Sequence, residues 1–424
     1  AALEQVTTTS LDALRKFTEA EKLSDAGDET GSVALLEEAI ALDSAFAMAH
    51  RKMAVNLSNM GIDREREVEA LSAAFRHRDR LTETERLITE ASYHNGITGD
   101  RDAIMRAYEG VLRIAPDDRT ALNNLANVYN GLEDFDRAGE LYERAVNGPG
   151  TSNTAHSNLV RTRLLQGDQA GAREALDAFE AAHPQDPNGP ERAFWVHAFA
   201  GEWAEAEAQV ARWESNSELP IVFEVNANEY RAQLAMVQGK MAEVRRRIRQ
   251  AQRLAELELG PGAAWFYTLY GAYLEVQVGN IDGARDIVDA LEETGLFEEI
   301  PVSARDYSLA VTFKNLVEDE EGSLSYLKRW EEELPQEFAG RYDDANRALQ
   351  RSMVGGIGRN PEGVLAAIEN HRVRLRCSRC SRVQEAQALE AAGRLEEARD
   401  VYRDLADTIE SNFTVSLTLS LIHI

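Results

Sequence analysis

Two cysteines are the residues of this chain whose type and spacing most suggest chemistry. Cys377 and Cys380 lie in the stretch RLRCSRCSR, among five arginines, and the sequence contains no other cysteine. Nearby positive charge favours the reactive thiolate form, so the pair could form a disulfide or take part in redox chemistry. The alternative is that both are small residues packed at a boundary between structural elements. A structural zinc site needs four ligands, and because no second CxxC motif exists, no metal site is predicted.

Two other motifs match catalytic sequences only in part. His77, Arg78 and Asp79 spell the HRD of a protein-kinase catalytic loop, but Thr84 stands where that loop needs an asparagine. The glycine-rich stretch GGIGRNPEG, residues 355–363, lacks the Lys-Ser/Thr pair of a phosphate-binding loop. The sequence therefore predicts no catalytic residue and no cofactor, and this chain is not predicted to be an enzyme.

The net charge restricts the kinds of partner that the chain can bind. Its 424 residues include 73 acidic and 46 basic side chains, which gives a formal net charge of -27. Because a protein that binds a phosphate backbone needs a basic face, nucleic acid is not predicted as a partner, whereas a peptide or a basic protein is.

The sequence has no apolar run of membrane-spanning length and no signal peptide, so it predicts a soluble domain without direct membrane insertion. It makes no prediction about oligomeric state.

A turn signal recurs along the chain at intervals of 34 to 40 residues. The first residues of these turns are Gly27, Gly61, Gly99, Glu133, Gly167, Gly201, Gly239, Gly279 and Gly393. The last interval, of 114 residues, equals three units of 38 whose two inner turns are degenerate. Small residues recur seven places before and five places after the turns, and antiparallel helices approach to about 8–10 Å only where such residues meet. The pattern predicts stacked helix-turn-helix units that share one continuous core.

This pattern resembles the tetratricopeptide repeat, whose three small-residue positions match Ala126, Ala138 and Ala145. The resemblance covers residues 11–412; it is strongest over 119–213 and weakest over 302–376, where only the second helix of each repeat is recognisable. It implies an all-α fold, a right-handed superhelical α-solenoid of about eleven repeats. The alternative is an unrelated all-α bundle whose periodicity arises by chance.

The resemblance also implies a binding groove. In tetratricopeptide proteins the first helices line a concave face, and the residue after the first small position points into it. The positions implied here form one path across four repeats: Tyr93, Asn123, Asn127, Arg161 and Trp195. An Asn can hydrogen-bond a peptide backbone, an Arg can hold a carboxylate, and aromatic rings offer rigid contact area. The implied ligand is a protein or peptide; the alternative is that Asn and Arg are ordinary solvated residues and Trp195 belongs to the core.

Stretches near the start of the chain resemble a particular bacterial arrangement. LEQVTTTSLDALRKFTEAEKL and RDRLTETERLITEASYHNGITGD are similar to the repeat region that follows the linker of membrane-tethered serine/threonine protein kinases. Similar regions follow cyclase or winged-helix DNA-binding domains. The resemblance implies a regulatory scaffold or sensor of a bacterial signalling protein, with residues 1–10 as linker and any catalytic domain upstream. A further alternative, an RNA-binding α-solenoid, is disfavoured by the net charge of -27.

At the other end of the sequence, residues 413–424 do not continue the helical pattern. The last six residues, LSLIHI (419–424), resemble the translation of a sequencing adaptor. We therefore expect the 413–424 tail to be non-native.

Overall fold

The computed structural model describes residues 8–25, 28–60, 63–148, 153–216, 219–334, 343–372, 375 and 378–408. These residues form α-helices and short helical turns, and no β-strand occurs among them. They fall into two compact units that divide between Val128 and Tyr129. We call residues up to Val128 the N-terminal unit, and residues from Tyr129 to Glu333 and from Asp344 onward the C-terminal unit. The all-α helical-repeat fold predicted from the sequence is confirmed.

The N-terminal unit is a succession of short helices. They are α1 (Leu11–Asp25), α2 (Glu29–Leu42), α3 (Ala47–Met60), α4 (Arg64–Arg76), α5 (Glu83–Tyr93), α6 (Arg101–Ile114) and the first part of α7 (Arg119–Gly131). From α1 to α6, each helix packs on the next. Ala20 and Ala54, two of the predicted closest-approach residues, are buried, as are Phe17 and Phe46, whose ring centroids lie 5.2 Å apart.

The C-terminal unit continues the same pattern. Its helices are α8 (Phe135–Asn147), α9 (Asn153–Leu165), α10 (Gln169–Ala182), α11 (Gly189–Phe199), α12 (Trp203–Glu214), α13 (Ile221–Val237), α14 (Met241–Glu258), α15 (Pro261–Gln277), α16 (Ile281–Thr294), α17 (Leu296–Glu299), α18 (Tyr307–Leu316), α19 (Glu320–Glu333), α20 (Asp343–Ser352), α21 (Pro361–His371), α22 (Ser378–Ala391) and α23 (Leu395–Thr408). From α8 to α16, each helix packs on the next. Ala138, Ala172, Ala206 and Ala284, all at the predicted small-residue position, have no exposed surface.

A left-handed residue ends the first helix of most repeats. The predicted turn glycines from Gly99 to Gly393 have φ values between 66° and 76°, a conformation in which glycine has no steric cost. The next residue then donates its amide to a carbonyl five residues back, as Asp168 does to Arg163 at 2.9 Å and Lys240 to Ala235 at 2.8 Å. This bond closes the end of the helix. The recurring sequence signal is therefore a repeated helix-terminating turn.

The two degenerate turns lie inside the 114-residue interval. Glu318, with φ 60°, and Gly355, with φ 73°, divide it into spans of 39, 37 and 38 residues. Helices α18 and α19 flank Glu318, and α20 and α21 flank Gly355. Both helices of these repeats are thus present, and the turn at Glu318 was not recognisable in the sequence because a glutamate occupies its left-handed position.

The predicted limits of the repeat region lie at the edges of the described residues. Helix α1 begins at Leu11, and the last described helix ends at Thr408. Residues 1–7 of the predicted linker, and the whole of the predicted 413–424 tail, lie outside the described residues, so the limits 11 and 412 stay predictions. None of the described helices combines the length and apolar character that crossing a membrane requires.

Candidate functional site

Tyr93, the first residue of the predicted binding path, lies at the end of α5 in the N-terminal unit. Its ring stacks on Phe75 of α4, with centroids 4.0 Å apart and planes inclined by 18°. His94 meets the Tyr93 ring edge-on at 5.6 Å, and Tyr93 is half-buried. Much of its aromatic surface therefore holds α4 against α5, which leaves only part of the ring for a ligand.

Asn123 and Asn127 lie on α7, also in the N-terminal unit. The half-buried Asn123 donates a hydrogen bond to Asn124 at 3.0 Å, and Asn124 donates to the hydroxyl of Tyr108 at 3.1 Å. Asn127 is exposed. Asn123 thus begins a chain of internal hydrogen bonds, while Asn127 presents its amide at the surface.

Arg161 lies on α9 of the C-terminal unit and is half-buried. Its Nε is buried without a hydrogen-bond partner, and no described carboxylate forms an ion pair with its guanidinium. Burial lowers the pKa of Arg161, because removing a charge from water without a partner is costly. Tyr142 and Glu191 are close enough to favour its charged form slightly, and Arg192 opposes them. A buried guanidinium without an ion-pair partner is a candidate binding group for a carboxylate, which it can hold with two parallel hydrogen bonds.

Trp195, the last residue of the predicted path, lies on α11 and is 6% exposed. Its ring meets Phe194 edge-on at 5.0 Å and Tyr230 at 5.3 Å. This burial agrees with the alternative that Trp195 belongs to the core. A contribution of Trp195 to ligand binding stays a prediction.

Hydrogen bonds link each first helix of the C-terminal unit, from α9 to α15, to the next first helix. Arg192 of α11 donates to Ser157 of α9. Tyr230 of α13 donates to Glu191 of α11 at 2.7 Å. Tyr267 of α15 donates to Glu229 of α13 at 3.3 Å. We call these residues, together with Gln233, the polar row: Ser157, Glu191, Arg192, Glu229, Tyr230, Gln233 and Tyr267.

Glu229 and Gln233 are two buried members of the polar row, with 7% and 3% exposure. Gln233 donates its amide to Glu229 at 3.1 Å and to the hydroxyl of Tyr270 at 3.4 Å. The Oε1 of Gln233 is buried without a partner. Burial first, with a contribution from the negative charge of Glu191, raises the pKa of Glu229 to about 7. The row therefore contains a carboxyl group whose charge changes near neutral pH.

Sequence reasoning missed Glu229 and Gln233, although a signal for them exists. The rule that selects the residue after each small position extends beyond Trp195 to the next repeat. Applied to Ala232, the small position before the next turn, the same rule selects Gln233, and Glu229 lies four residues earlier on the same helix face.

Sequence reasoning also missed Arg51, on α3 of the N-terminal unit. Its Nε, like that of Arg161, is buried without a hydrogen-bond partner. Burial lowers the pKa of Arg51, against small opposing effects of Tyr108 and Glu85. Each unit therefore contains an arginine without an ion-pair partner among the described residues.

The cysteine pair cannot be placed as a site. Cys377 lies outside the described residues, and Cys380 lies in α22 with a side chain outside them, so a disulfide or redox role stays a prediction. In the part of the chain that the structure describes, no group of three or more His, Cys, Asp or Glu side chains is arranged to hold a metal ion.

Comparisons with known proteins agree with the repeat pattern. Residues 120–147, which span α7 and α8, match the family model of the tetratricopeptide repeat. Among curated proteins, none matches this chain significantly.

Several solved structures are similar in fold. A tetratricopeptide repeat protein from Parabacteroides merdae is 14% identical, with 58% of this chain and 94% of that chain covered and a TM-score of 0.40. PilW, a type IV pilus biogenesis factor, is 16% identical, with the same coverage of 58% and 94% and a TM-score of 0.34. Human IFIT1, solved as a dimer with m7Gppp-AAAA, is 14% identical, with coverage of 96% and 92% and a TM-score of 0.43. This chain is an all-α helical-repeat protein with a stretch at residues 120–147 similar to the tetratricopeptide repeat.

Proposed function

We propose that this chain is a protein-interaction module that binds an extended segment of a partner protein along the first helices of its repeats. Repeats of the tetratricopeptide type generally mediate contacts between proteins. The observation that carries the proposal is Arg161, a half-buried guanidinium whose Nε lacks a partner. Keeping such a group costs folding free energy, so a ligand that supplies a carboxylate gives a physical reason for its presence.

The polar row supports the same proposal. A helix face that only filled the core would be apolar, yet α9, α11, α13 and α15 are joined by hydroxyl, guanidinium and carboxyl groups. Such groups hydrogen-bond peptide backbones and charged side chains, and buried polar networks fix orientation more than they add stability. The proposed module binds without turnover, and nucleic acid is not its proposed ligand.

We further propose that the module is the regulatory part of a bacterial signalling protein. The support is the similarity of the stretches before and after α3 to repeat regions of membrane-tethered serine/threonine kinases. A cyclase or winged-helix regulator is the alternative parent. The genomic sequence upstream of Ala1 tests this proposal: a glycine-rich loop, an HRD motif with its asparagine and a DFG motif would identify a kinase, whereas a winged helix would contradict it.

Peptide selection tests the binding function. A phage-displayed library of random peptides is selected on the immobilised chain, and individual peptides are then measured by fluorescence anisotropy. We expect Arg161→Ala to weaken binding about ten- to hundredfold, because a charge-assisted hydrogen bond contributes about 1.5–3 kcal/mol. Arg144→Ala, on the exposed side of α8, removes the same charge elsewhere and should leave binding unchanged. Failure to enrich any peptide, or equal effects of the two substitutions, would contradict the proposal.

A further inference from the structure

The charges of Arg161 and of the polar row follow an order along the C-terminal unit. Arg161 provides a positive charge on α9 without an ion-pair partner among the described residues. On α11, Glu191 and Arg192 neutralise each other in an ion pair. On α13, Glu229 provides a carboxyl group that accepts hydrogen bonds from Tyr267 and Gln233 but pairs with no cation among the described residues. The face therefore changes from positive to negative over two repeats.

Two side-chain atoms, one at each end of this series, are buried without a hydrogen-bond partner, and one is a donor whereas the other is an acceptor. The Nε of Arg161 is a donor without an acceptor, and the Oε1 of Gln233 is an acceptor without a donor. Gln233 is 3% exposed and hydrogen-bonded to Glu229 at 3.1 Å, so the missing donor lies beside the carboxyl group. Buried polar atoms without partners are rare in folded proteins. A ligand carboxylate could therefore accept a hydrogen bond from Arg161 on α9, and a ligand donor could bond to Gln233 on α13.

The surroundings of Glu229 suit a cation. A carboxylate has about four lone-pair sites, and Glu229 uses two of them, one for Gln233 and one for Tyr267. The hydroxyl of Tyr267 lies at Glu229 and that of Tyr270 lies at Gln233, and a phenol oxygen can also accept a hydrogen bond from an ammonium or guanidinium group. An amide N–H or a water molecule could satisfy Gln233 alone, whereas a cation would also compensate the charge that Glu229 carries when it is ionised.

We propose that the segment bound by the C-terminal unit carries an acidic side chain opposite α9 and, further along, a basic side chain opposite α13. This inference rests on the proposed binding function and adds the charge order and direction of the ligand. Neighbouring packed helices lie about 8–10 Å apart, so two steps span about 16–20 Å. An extended chain rises about 3.3 Å per residue, which places the two charged residues about five or six positions apart.

The test uses the full chain and a phage-displayed library of random 15-residue peptides. Selection is carried out in parallel on the wild type, on Arg161→Met and on Glu229→Gln. On the wild type we expect an acidic and a basic residue, five or six positions apart and always in one order, to be enriched about tenfold or more, since one such hydrogen bond changes affinity about ten- to hundredfold. Arg161→Met should lose the acidic preference alone, and Glu229→Gln the basic preference alone.

Circular dichroism of each variant establishes that its helices are intact before selection, and Arg161→Gln and Glu229→Met replace any variant that does not fold. Enriched peptides without a fixed charge order, or variants that lose both preferences together, would overturn the charge order while leaving the binding function in place. Failure to enrich any peptide on the wild type would overturn the binding function and the charge order together.

Discussion

Arg382 of α22 lies 3.7 Å from the carboxylate of Glu133, the left-handed residue between α7 and α8. The same guanidinium also pairs with Asp404 of α23. The last described helix pair of the C-terminal unit therefore contacts the turn with which that unit begins. Glu133 thus combines two functions, a turn conformation usually left to glycine and an ion pair with a distant helix.

The left-handed turns predict the effect of exchanging glutamate and glycine. A non-glycine residue with φ near 60° costs about 1–2 kcal/mol, so Glu318→Gly is expected to stabilise the protein by about 1 kcal/mol and to raise its Tm. Gly239→Ala, at φ 70° with no atom near the added Cβ, should lower stability by a similar amount. Differential scanning calorimetry measures both.

At Glu133 the same exchange should give a smaller gain than at Glu318. Glu133→Gly relieves the turn but removes the ion pair with Arg382, which at a partly exposed site contributes up to about 1 kcal/mol. A fall in Tm for Glu318→Gly would contradict the assignment of strain to these turns.

Packing between repeats predicts a large difference between two alanines of one helix. Ala172 of α10 has no exposed surface, whereas Ala178 of the same helix is exposed. Ala172→Leu should overpack the contact and cost about 1–3 kcal/mol, and Ala178→Leu should change stability by less than about 0.5 kcal/mol. Urea denaturation followed by circular dichroism compares the two. Equal effects would show that Ala172 is not a point of closest approach.

The raised pKa of Glu229 predicts how stability depends on pH. Its native pKa of about 7 lies above its usual value of 4.5, so the native state binds more protons than the unfolded state between these two values. Stability from this group is fully present below about pH 4.5 and is lost as the pH rises through about 7, by up to about 3 kcal/mol. Glu229→Gln should therefore stabilise the protein at pH 8 much more than at pH 5.

Tyr267→Phe is the complementary variant for this carboxyl group. It keeps Glu229 but removes the hydroxyl that donates to it at 3.3 Å, and because this bond favours the charged form, the pKa of Glu229 should rise further. The loss of Tm between pH 5 and pH 8 should then be larger than in the wild type. An unchanged pH profile in both variants would show that Glu229 titrates normally.

The buried, unpartnered Nε of Arg161 predicts that replacing this arginine raises the stability of the protein. Because its Nε has no partner, Arg161→Met should remove a desolvation cost and raise stability by about 1–2 kcal/mol. Arg231, which pairs with Glu214 at 2.7 Å and Glu207 at 2.8 Å, is the matched control, and Arg231→Met should be destabilising. Thermal unfolding of both variants compares them. A destabilised Arg161→Met would indicate that the arginine supports the fold.

The repeat architecture could be predicted from the sequence because its signal is local. Glycine at a helix end and alanine at a helix contact follow from sterics within one repeat, as at Gly167 and Ala172. Where another residue adopts the same conformation, as Glu318 does, the signal disappears although the structure persists. The prediction therefore failed at Glu318, where a strained non-glycine residue occupies a turn position that is usually glycine.

The candidate site was less predictable because it depends on neighbours from other repeats. The helix face of Trp195 followed from its position, but its burial depends on Phe194 and on Tyr230 from the next repeat. The pKa of Glu229 likewise depends on a glutamate and a tyrosine about one repeat away on either side. No window of 34 residues contains Trp195 together with Tyr230, or Glu229 together with Glu191 or Tyr267.

The hydrogen bonds between successive first helices join unlike partners: Ser157 with Arg192, Glu191 with Tyr230, and Glu229 with Tyr267. Modules of equal length are easily duplicated or deleted by recombination, yet here each one is matched to one particular neighbour. Removing the module that contains α11 would leave Tyr230 facing Ser157 and no acceptor carboxylate for its hydroxyl. Each module is therefore fitted to one neighbour, so we expect the fold to tolerate substitutions within a module more readily than any change in the order of the modules.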